Sequence, residues 1–515
     1  MEQNVALDGS TISPAEVMAV VNGKAILELT EGAWNRIIRA RGTIDEILAS
    51  NETVYGINTG FGSLVNTKID PEQLQELQLN LIRSHATGLG EHMEKNAVRA
   101  MMIARINSFA KGFSGVHPNI VQQLIDFVNL QITPYVPRIG SLGASGDLAP
   151  LSHMALTLIG EGKIVKDDGE ISNTREVLID KGLIPIELHA KDGLSLINGT
   201  SQMLSYSILS LDILNNLLPI ADVIYCASLD AYGGTMAPND ARVHDARPHP
   251  GQSTVARRVR QIMADSKIQQ SNSDYKRVQD PYSFRCAPQV QGAVYEALLG
   301  MHSTVDIELN SATDNPLIFP EAPSLQERVV SQGNFHGEVL ALCADRMALA
   351  LFELGSISER RMDQLLDANK SNLPPFLAST TGLESGFMIV QYSAGAALGE
   401  LHGHSAPRTA FSTSTSAGQE DHVSMGATAC WNLYQACHRI SEVLACELLI
   451  ASEAMTYSNL ESSSFVKSLI KLSRTIAPEL DGDRSTSEEI NQIAMHLRDG
   501  SWLARVEAEN GKLSR

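Results

Sequence analysis

The densest run of small residues in the sequence contains one serine in a setting that permits unusual chemistry. Residues 140–147 read Gly-Ser-Leu-Gly-Ala-Ser-Gly-Asp, and an apolar segment follows them. Because glycine has no Cβ and tolerates positive φ, such a loop lets backbone approach another backbone or a ligand closely. A turn leading into a helix, with Asp147 near its cap, is one interpretation. A phosphate-binding loop is another, but the run lacks both the Gly-Lys-Ser/Thr ending and the Gly-x-Gly-x-x-Gly spacing.

The residues around this run change its interpretation. Residues 143–153 read Gly-Ala-Ser-Gly-Asp-Leu-Ala-Pro-Leu-Ser-His, which resembles the signature of the aromatic amino acid lyases and, within them, most closely the histidine ammonia-lyases. One matching block could arise by chance, but several in the family's order identify the chain as a member. The further blocks are residues 55–62, 84–85, 196–200, 244–251, 279–286, 333–336 and 419–422.

The resemblance implies a prosthetic group made from the chain itself. In this family the nitrogen of Gly146 attacks the carbonyl carbon of Ala144, and loss of two waters leaves Ser145 as an exocyclic methylidene. The product is 4-methylidene-imidazol-5-one (MIO), and no metal or dissociable cofactor is expected. The residue types suit this chemistry, because a glycine nitrogen is unhindered and serine supplies a β-hydroxyl that can be eliminated.

Two further residues match family positions that act on the substrate, one on its β-proton and one on its carboxylate. Tyr55 matches the base that removes the β-proton. An unperturbed phenol has a pKa near ~10, so the site must stabilise the phenolate, for instance with backbone N–H groups of residues 56–62. Arg285 matches the residue that binds the substrate carboxylate, for which a guanidinium fork is well shaped. As isolated residues they would be read as a loop anchor and an ion-pair partner.

Four other residues complete the contacts that the family makes with the substrate or the prosthetic group. Asn198, Gln279 and the catalytic Tyr282 match hydrogen-bonding positions, although each alone is typical of a loop or cap contact. Phe335 is expected to pack against a ring, and an ordinary core phenylalanine remains an alternative.

Substrate choice depends on two positions. Glu420 matches the carboxylate that holds the substrate imidazole, and a carboxylate suits a ring with an N–H donor better than a phenyl ring. His85 matches the histidine-specific pattern, which some tyrosine-specific relatives share. The resemblance therefore implies elimination of ammonia from L-histidine to give trans-urocanate. The alternatives are a tyrosine or phenylalanine ammonia-lyase, an MIO-dependent 2,3-aminomutase, and a non-catalytic helical scaffold with unmodified Ser145.

One segment departs from the family. Residues 400–404 read Glu-Leu-His-Gly-His and residues 410–414 read Ala-Phe-Ser-Thr-Ser, where histidine-specific members carry Asn-Lys and an Asp-Ser-Ile-Pro-Thr-Ser-like stretch. The loop that leads to Glu420 is therefore unusual. His402 and His404 also suggest metal ligands, but no third and fourth ligand with a recognised spacing follows, so we expect no metal site.

Helices must position these residues, because apolar positions recur at three-and-four spacing with few alternating runs. The sequence predicts a mainly α fold, a long antiparallel helical bundle with a smaller N-terminal domain that carries the prosthetic-group loop. We expect that domain to span residues 1–195 and the bundle to span 196–515. The predicted helices include a buried apolar one within 200–229 and others at 72–84, 97–109, 120–130, 337–366 and 427–455.

Composition excludes several partners. The 515 residues include 40 Lys and Arg against 59 Asp and Glu, a net charge of −19, which repels nucleic acid and anionic lipid. The N-terminus has neither the basic start nor the apolar core of a secretory signal, which favours a cytoplasmic location. The six cysteines are too scattered for a disulfide framework and are expected to be reduced. The family resemblance implies an amino acid substrate and a homotetramer with shared active sites.

Overall fold

The computed structural model describes residues 3–50, 54, 57, 73–271 and 277–514. The chain divides into two compact units, and each unit combines three separate stretches of sequence. The predicted division into residues 1–195 and 196–515 stays a prediction. The first unit contains residues 1–209, 302–345 and 407–431, and the second contains 210–301, 346–406 and 432–515.

The described residues are mostly helical, which confirms the mainly α fold class. The helices are α1 Pro14–Val21, α2 Glu31–Ser50, α3 Leu74–His85, α4 Lys95–Ala110, α5 Pro118–Asn129, α6 Leu148–Leu158, α7 Thr174–Asp180, α8 Asp192–Ile197, α9 Ser201–Tyr232, α10 Ala241–Asp245, α11 Pro250–Ile262, α12 Lys267–Ser271, α13 Tyr282–Arg285, α14 Ala287–Leu309, α15 Leu325–Arg328, α16 Glu338–Leu366, α17 Ala368–Ser371, α18 Met388–Ser405, α19 Gly426–Ala454, α20 Ser464–Arg474, α21 Ser487–Arg498 and α22 Ser501–Asn510.

Short strands accompany the helices of the first unit. β1 pairs with β2 in parallel, β3 pairs with β5 antiparallel, β4, β6 and β7 form a three-stranded sheet in that order, and β8 pairs with β9 antiparallel. The strands are β1 Gln3–Leu7, β2 Ala25–Leu29, β3 Leu89–His92, β4 Thr133–Pro134, β5 Pro137–Ile139, β6 Lys163–Val165, β7 Ile171–Asn173, β8 Leu317–Ile318 and β9 Val329–Val330.

The predicted helices are observed close to their expected ends. Those expected at 97–109, 120–130, 337–366 and 427–455 are α4, α5, α16 and α19. Helix ends fray, and assignments commonly differ by about two residues, as they do here.

Helix α9 is the apolar helix expected within residues 200–229. Among the described helices, α9 alone is long and apolar enough to cross a membrane by length and composition. However, 78% of its most apolar window is buried inside the protein. This burial is typical of a core helix.

A buried ion pair links two long helices within the second unit. Arg361 of α16 donates from Nε to Oε1 of Glu447 of α19 at 2.5 Å and from Nη2 to Oε2 at 2.8 Å. Both side chains are fully buried. The hydroxyls of Ser228 and Ser358 donate to the same carboxylate at 2.7 and 2.5 Å. The carboxylate thus has a donor on both oxygens, which offsets the cost of burying its charge.

The cysteines are consistent with the expected reduced thiols. All six positions lie in the described ranges, and none of the six forms a disulfide. Burial raises the pKa of Cys437 and of Cys446 to about 12. Protonated, buried thiols are weak nucleophiles, so these residues act as core side chains.

Candidate active site

The Ala-Ser-Gly tripeptide lies in a tight loop that only glycine permits at residue 146. Gly146 has φ of +79°, and it forms a β-bridge with Gly199. A Cβ on Gly146 would lie 2.3 Å from the carbonyl oxygen and 2.4 Å from the nitrogen of Gly199. Real side chains do not approach backbone so closely. The glycine therefore meets two demands at once, the positive φ and the close backbone contact.

Asp147 anchors this loop to a helix distant in sequence. It precedes α6, but its side chain makes no cap hydrogen bond to that helix. Instead its carboxylate accepts hydrogen bonds from the backbone nitrogens of Gln202 and Met203, at 2.7 and 3.1 Å, in the first turn of α9. Ser141 Oγ donates to the other carboxylate oxygen at 2.8 Å. Asp147 thus stands at the N-cap position of α6, as the turn interpretation predicts, but its carboxylate caps the first turn of α9 instead.

The burial of Asp147 predicts a pH-dependent contribution to stability. The side chain is inaccessible to solvent, and burial raises its pKa to about 7 from 3.8, although its hydrogen bonds oppose the shift. Because the folded-state pKa is the higher one, the stabilising contribution is complete below about pH 4 and is lost as pH rises to about 7.

We therefore expect the thermal midpoint of Asp147→Asn, relative to wild type, to improve as pH rises from about 4 to 7 and then to level off. Calorimetry across this range measures the difference, with the exposed Asp168→Asn as control. A difference between Asp147→Asn and wild type that does not change with pH would contradict the shift.

Asn198 contacts the tripeptide directly. Its Nδ2 donates to the carbonyl oxygen of Ser145 at 2.8 Å. Its Oδ1 is buried and has no hydrogen-bond partner among the described residues. Such an orphaned acceptor is costly unless another group supplies a donor. The backbone of Asn198 is held in turn by the buried Arg105, whose Nη1 donates to the Asn198 carbonyl at 2.7 Å.

Glu420 faces the reactive serine. Ser145 Oγ donates a hydrogen bond to Glu420 Oε1. Thr415 Oγ1 donates to Oε2 at 3.1 Å, and the two residues also exchange backbone hydrogen bonds at 2.9 and 3.3 Å. Each oxygen of the carboxylate therefore accepts a hydrogen bond from a hydroxyl in a different part of the chain.

Residues 400–414, the segment that departs from the family, lead to Glu420, and hydrogen bonds hold this part of the chain in place. Thr409 donates from its backbone nitrogen and its hydroxyl to Asp345, at 3.0 and 2.8 Å. The backbone nitrogen of Val423 donates to Ser412 Oγ at 3.1 Å. Ser412 lies before Glu420 and Val423 after it, so their contact closes the loop that carries the carboxylate.

Ser145, Asn198 and Glu420 line a cavity of about 670 Å³ in the first unit. His85 is half-buried in its wall, where burial lowers the pKa of the imidazole and Glu420 opposes this. Its Nδ1 lies 2.8 Å from the carbonyl oxygen of Leu81, to which an N–H there donates. The predicted residues that line the cavity together are His85, Ala144, Ser145, Asn198, Phe335 and Glu420.

The other predicted contacts cluster in the second unit. Arg285 Nη1 donates to Gln279 Oε1, and the guanidinium carbon lies 5.6 Å from the ring centroid of Tyr282. Tyr282 is 72% exposed, whereas Phe284 of the same short helix is buried. Gln279, Tyr282 and Arg285 thus form a group of their own, and none of them lines the cavity of the first unit. Tyr55, the predicted base, lies outside the described residues.

Sequence reasoning missed several residues of the cavity wall. His336 and His422 line the cavity, and each closes one of the blocks that match the family, so the blocks themselves were the available signal. Thr415 does not line the cavity but holds Glu420. It directly follows the departing stretch 410–414, and no motif pointed to it. His402 and His404 have other roles: His402 packs edge-on against Phe352, and His404 Nδ1 lies 2.7 Å from Asn432 Oδ1.

Comparison with known proteins shows the family of the chain. A family model described as "Aromatic amino acid lyase" matches residues 12–475. The histidine ammonia-lyase of Myxococcus xanthus is 40% identical over 98% of both chains, and that of Streptomyces avermitilis is 40% identical over 99% of both. Among solved structures, histidine ammonia-lyase from Trypanosoma cruzi has a TM-score of 0.91 at 37% identity, covering 98% of this chain and 96% of that chain. Tyrosine aminomutase from Streptomyces globisporus has a TM-score of 0.93 at 34% identity, covering 99% and 100%.

Proposed function

The chain belongs to the aromatic amino acid lyase family, and we propose that it is a histidine ammonia-lyase that converts L-histidine to trans-urocanate and ammonia. The observation that carries the substrate is Glu420, whose carboxylate faces Ser145 in a single cavity. A carboxylate accepts the imidazole N–H and offers nothing comparable to a phenyl ring. The curated relatives named above support the same substrate. Fold similarity alone does not separate the substrates, because the similar structures include both a histidine lyase and a tyrosine aminomutase.

We propose that Ala144, Ser145 and Gly146 cyclise to the MIO group expected in this family. The residues fit it: Gly146 has an unhindered nitrogen beside the backbone of Gly199, and the buried Asn198 Oδ1 lacks a partner in the described ranges. The group supplies an electrophile, which ordinary side chains cannot provide. Asn198 holds the Ser145 carbonyl, and Asp147 fixes the loop to α9. Intact-mass measurement tests this: the wild-type chain should be two waters lighter than its sequence, and an unmodified mass in folded protein would favour a scaffold.

The remaining roles extend this proposal to residues outside the cavity. Arg285 binds the substrate carboxylate, and Gln279 and Tyr282 hold the substrate beside it, while Tyr55 removes the β-proton. Gln279, Tyr282 and Arg285 form an outward-facing group that is absent from the first unit's cavity wall. We propose that they serve the cavity of another subunit in a homotetramer. The six cysteines, all within the described ranges, form no disulfide, which supports a cytoplasmic location.

Removing the Glu420 carboxylate should change substrate preference. We expect Glu420→Ala to lower kcat/KM for L-histidine by roughly 10–100-fold, the value of a hydrogen bond to a charged group, and to affect a phenyl substrate less. Initial rates with L-histidine and L-phenylalanine measure the ratio. Glu187→Ala, which removes an exposed carboxylate of the same unit, is the control. Equal losses for both substrates would show that Glu420 does not read the imidazole.

Thr415 should act through Glu420. In Thr415→Val the carboxylate loses the donor on Oε2 but keeps its charge, so we expect kcat/KM for L-histidine to fall by about tenfold. The fall should appear mainly in KM, because the loss affects placement of the substrate ring. Thr415→Ser keeps the hydroxyl and should restore most of the activity. Failure of the serine variant to do so would leave Thr415 as a packing residue only.

A further inference from the structure

Two histidines of the cavity wall and a neighbouring glutamate combine ligand types that bind zinc. His336 and His422 line the cavity, and Glu338 begins α16 next to them. One ligand atom from each of the three residues lies within 4.8 Å of the others. Two imidazoles with one carboxylate form a set that binds zinc through three protein ligands and leaves a fourth position open.

The spacing of the two imidazoles suits a shared cation. His422 Nδ1 and His336 Nε2 lie 3.5 Å apart, and the rings are stacked with their centroids 5.5 Å apart. Ligand nitrogens at ~2.0–2.1 Å from a tetrahedral zinc ion lie roughly 3.3–3.4 Å from each other. A cation between these two nitrogens therefore requires little movement of either ring.

The carboxylate of Glu338 has one oxygen that lacks a hydrogen-bond donor. Its Oε2 is shielded from solvent and has no hydrogen-bond partner among the described residues. A hydrogen bond between the two imidazoles would account for their spacing, but it would leave this oxygen unsatisfied. Burying an unpaired carboxylate oxygen is costly, and a cation bound by the Glu338 carboxylate beside the two imidazoles would offset that cost. The neighbouring Glu420 and Asp421, also in the cavity wall, add negative charge that favours a cation.

We propose that His336, Glu338 and His422 form a zinc-binding site in the cavity wall, and that zinc there reversibly inhibits the enzyme. The inhibition, but not the binding, rests on the proposed function. Imidazole is a good zinc ligand, so the open coordination position would take the imidazole of a substrate bound in the same cavity. A substrate ring bound to zinc is not available to Glu420. The zinc site is thus distinct from the prosthetic group. In this proposal the enzyme turns over its substrate without zinc.

Metal binding is tested on the full-length, chelator-stripped protein with zinc alone. Equilibrium dialysis should give about one Zn²⁺ per chain, and Co²⁺ should give the intense visible absorption of a tetrahedral site. His422→Gln and Glu338→Gln should each weaken binding by about tenfold or more and remove the Co²⁺ bands. Circular dichroism confirms that the variants are folded.

A second histidine pair in the same unit provides the matched control. His117 and His189 are also close, with ring centroids 4.9 Å apart, but they are not part of a three-ligand group among the described residues. His189→Gln should therefore bind zinc as wild type does. Binding far below one Zn²⁺ per chain, unchanged binding in His422→Gln, or an equal loss in His189→Gln would overturn the site.

Inhibition is tested separately, with the free Zn²⁺ concentration fixed by a metal buffer because L-histidine itself binds zinc. Wild-type initial rates should fall by about tenfold when the site is filled, while the residual rate of His422→Gln should not respond to zinc. Stoichiometric binding without inhibition would overturn the inhibitory role. If the protein did not turn over L-histidine at all, the proposed function would fail, and dialysis would still decide the zinc site.

Discussion

Ser145→Ala is expected to reduce the turnover of L-histidine by about 10³-fold or more while the chain still folds. Alanine has no β-hydroxyl to eliminate, so the methylidene cannot form. The change deletes one oxygen, and the hydroxyl's partner Glu420 keeps its bonds to Thr415. Initial rates of urocanate formation measure the loss, and intact mass and circular dichroism follow the modification and the fold.

Ser172→Ala is the matched control, because it removes a hydroxyl from strand β7 of the same unit, outside the cavity wall. It should keep both the rate and the mass deficit of two waters. Retention of substantial activity by Ser145→Ala would mean that the electrophile does not come from the tripeptide.

Arg361→Met should be the most destabilising substitution considered for the second unit. It leaves the carboxylate of Glu447 buried without its cation, and breaking a buried pair in this way costs about 3–5 kcal/mol of folding free energy. The thermal midpoint measured by calorimetry should fall by roughly 3–10 °C.

The adjacent Arg360 offers a control on the same helix. The Arg360 side chain is 58% exposed. Its partner Glu359 is buried but also accepts a hydrogen bond from Gln391 Nε2 at 2.9 Å, so the carboxylate keeps a donor when Arg360 is removed. Arg360→Met should therefore cost only about 0–1 kcal/mol. Equal falls of the thermal midpoint in the two variants would show that the buried pair of Arg361 and Glu447 stabilises the fold no more than the exposed Arg360 does.

Sequence predicted the features that depend on local spacing. Apolar periodicity predicted α16 and α19 nearly to their ends, because each helix buries a continuous face over many turns. The blocks at 143–153 and 419–422 predicted that Ser145 and Glu420 belong to one site, and the structure brings these two residues into hydrogen-bond contact. Similarity of short motifs carried this information, since the two residues are distant in sequence.

Contacts between distant, unpatterned residues were beyond prediction. Nothing near Asp147 indicates that its carboxylate caps α9 rather than α6, because the choice depends on how the chain returns to Gly199. Thr415 supports Glu420 from a segment without a family pattern. The pairing of His336 with His422 likewise requires two loops to meet. Each of these contacts is set by tertiary packing.

The most direct test is the product formed from each candidate substrate. Purified wild-type protein is incubated in parallel with L-histidine and L-tyrosine, and the products are identified by nuclear magnetic resonance. We predict trans-urocanate with one equivalent of ammonia from L-histidine and little product from L-tyrosine. Absence of urocanate from L-histidine, together with coumarate or a β-amino acid from L-tyrosine, would contradict the proposed function.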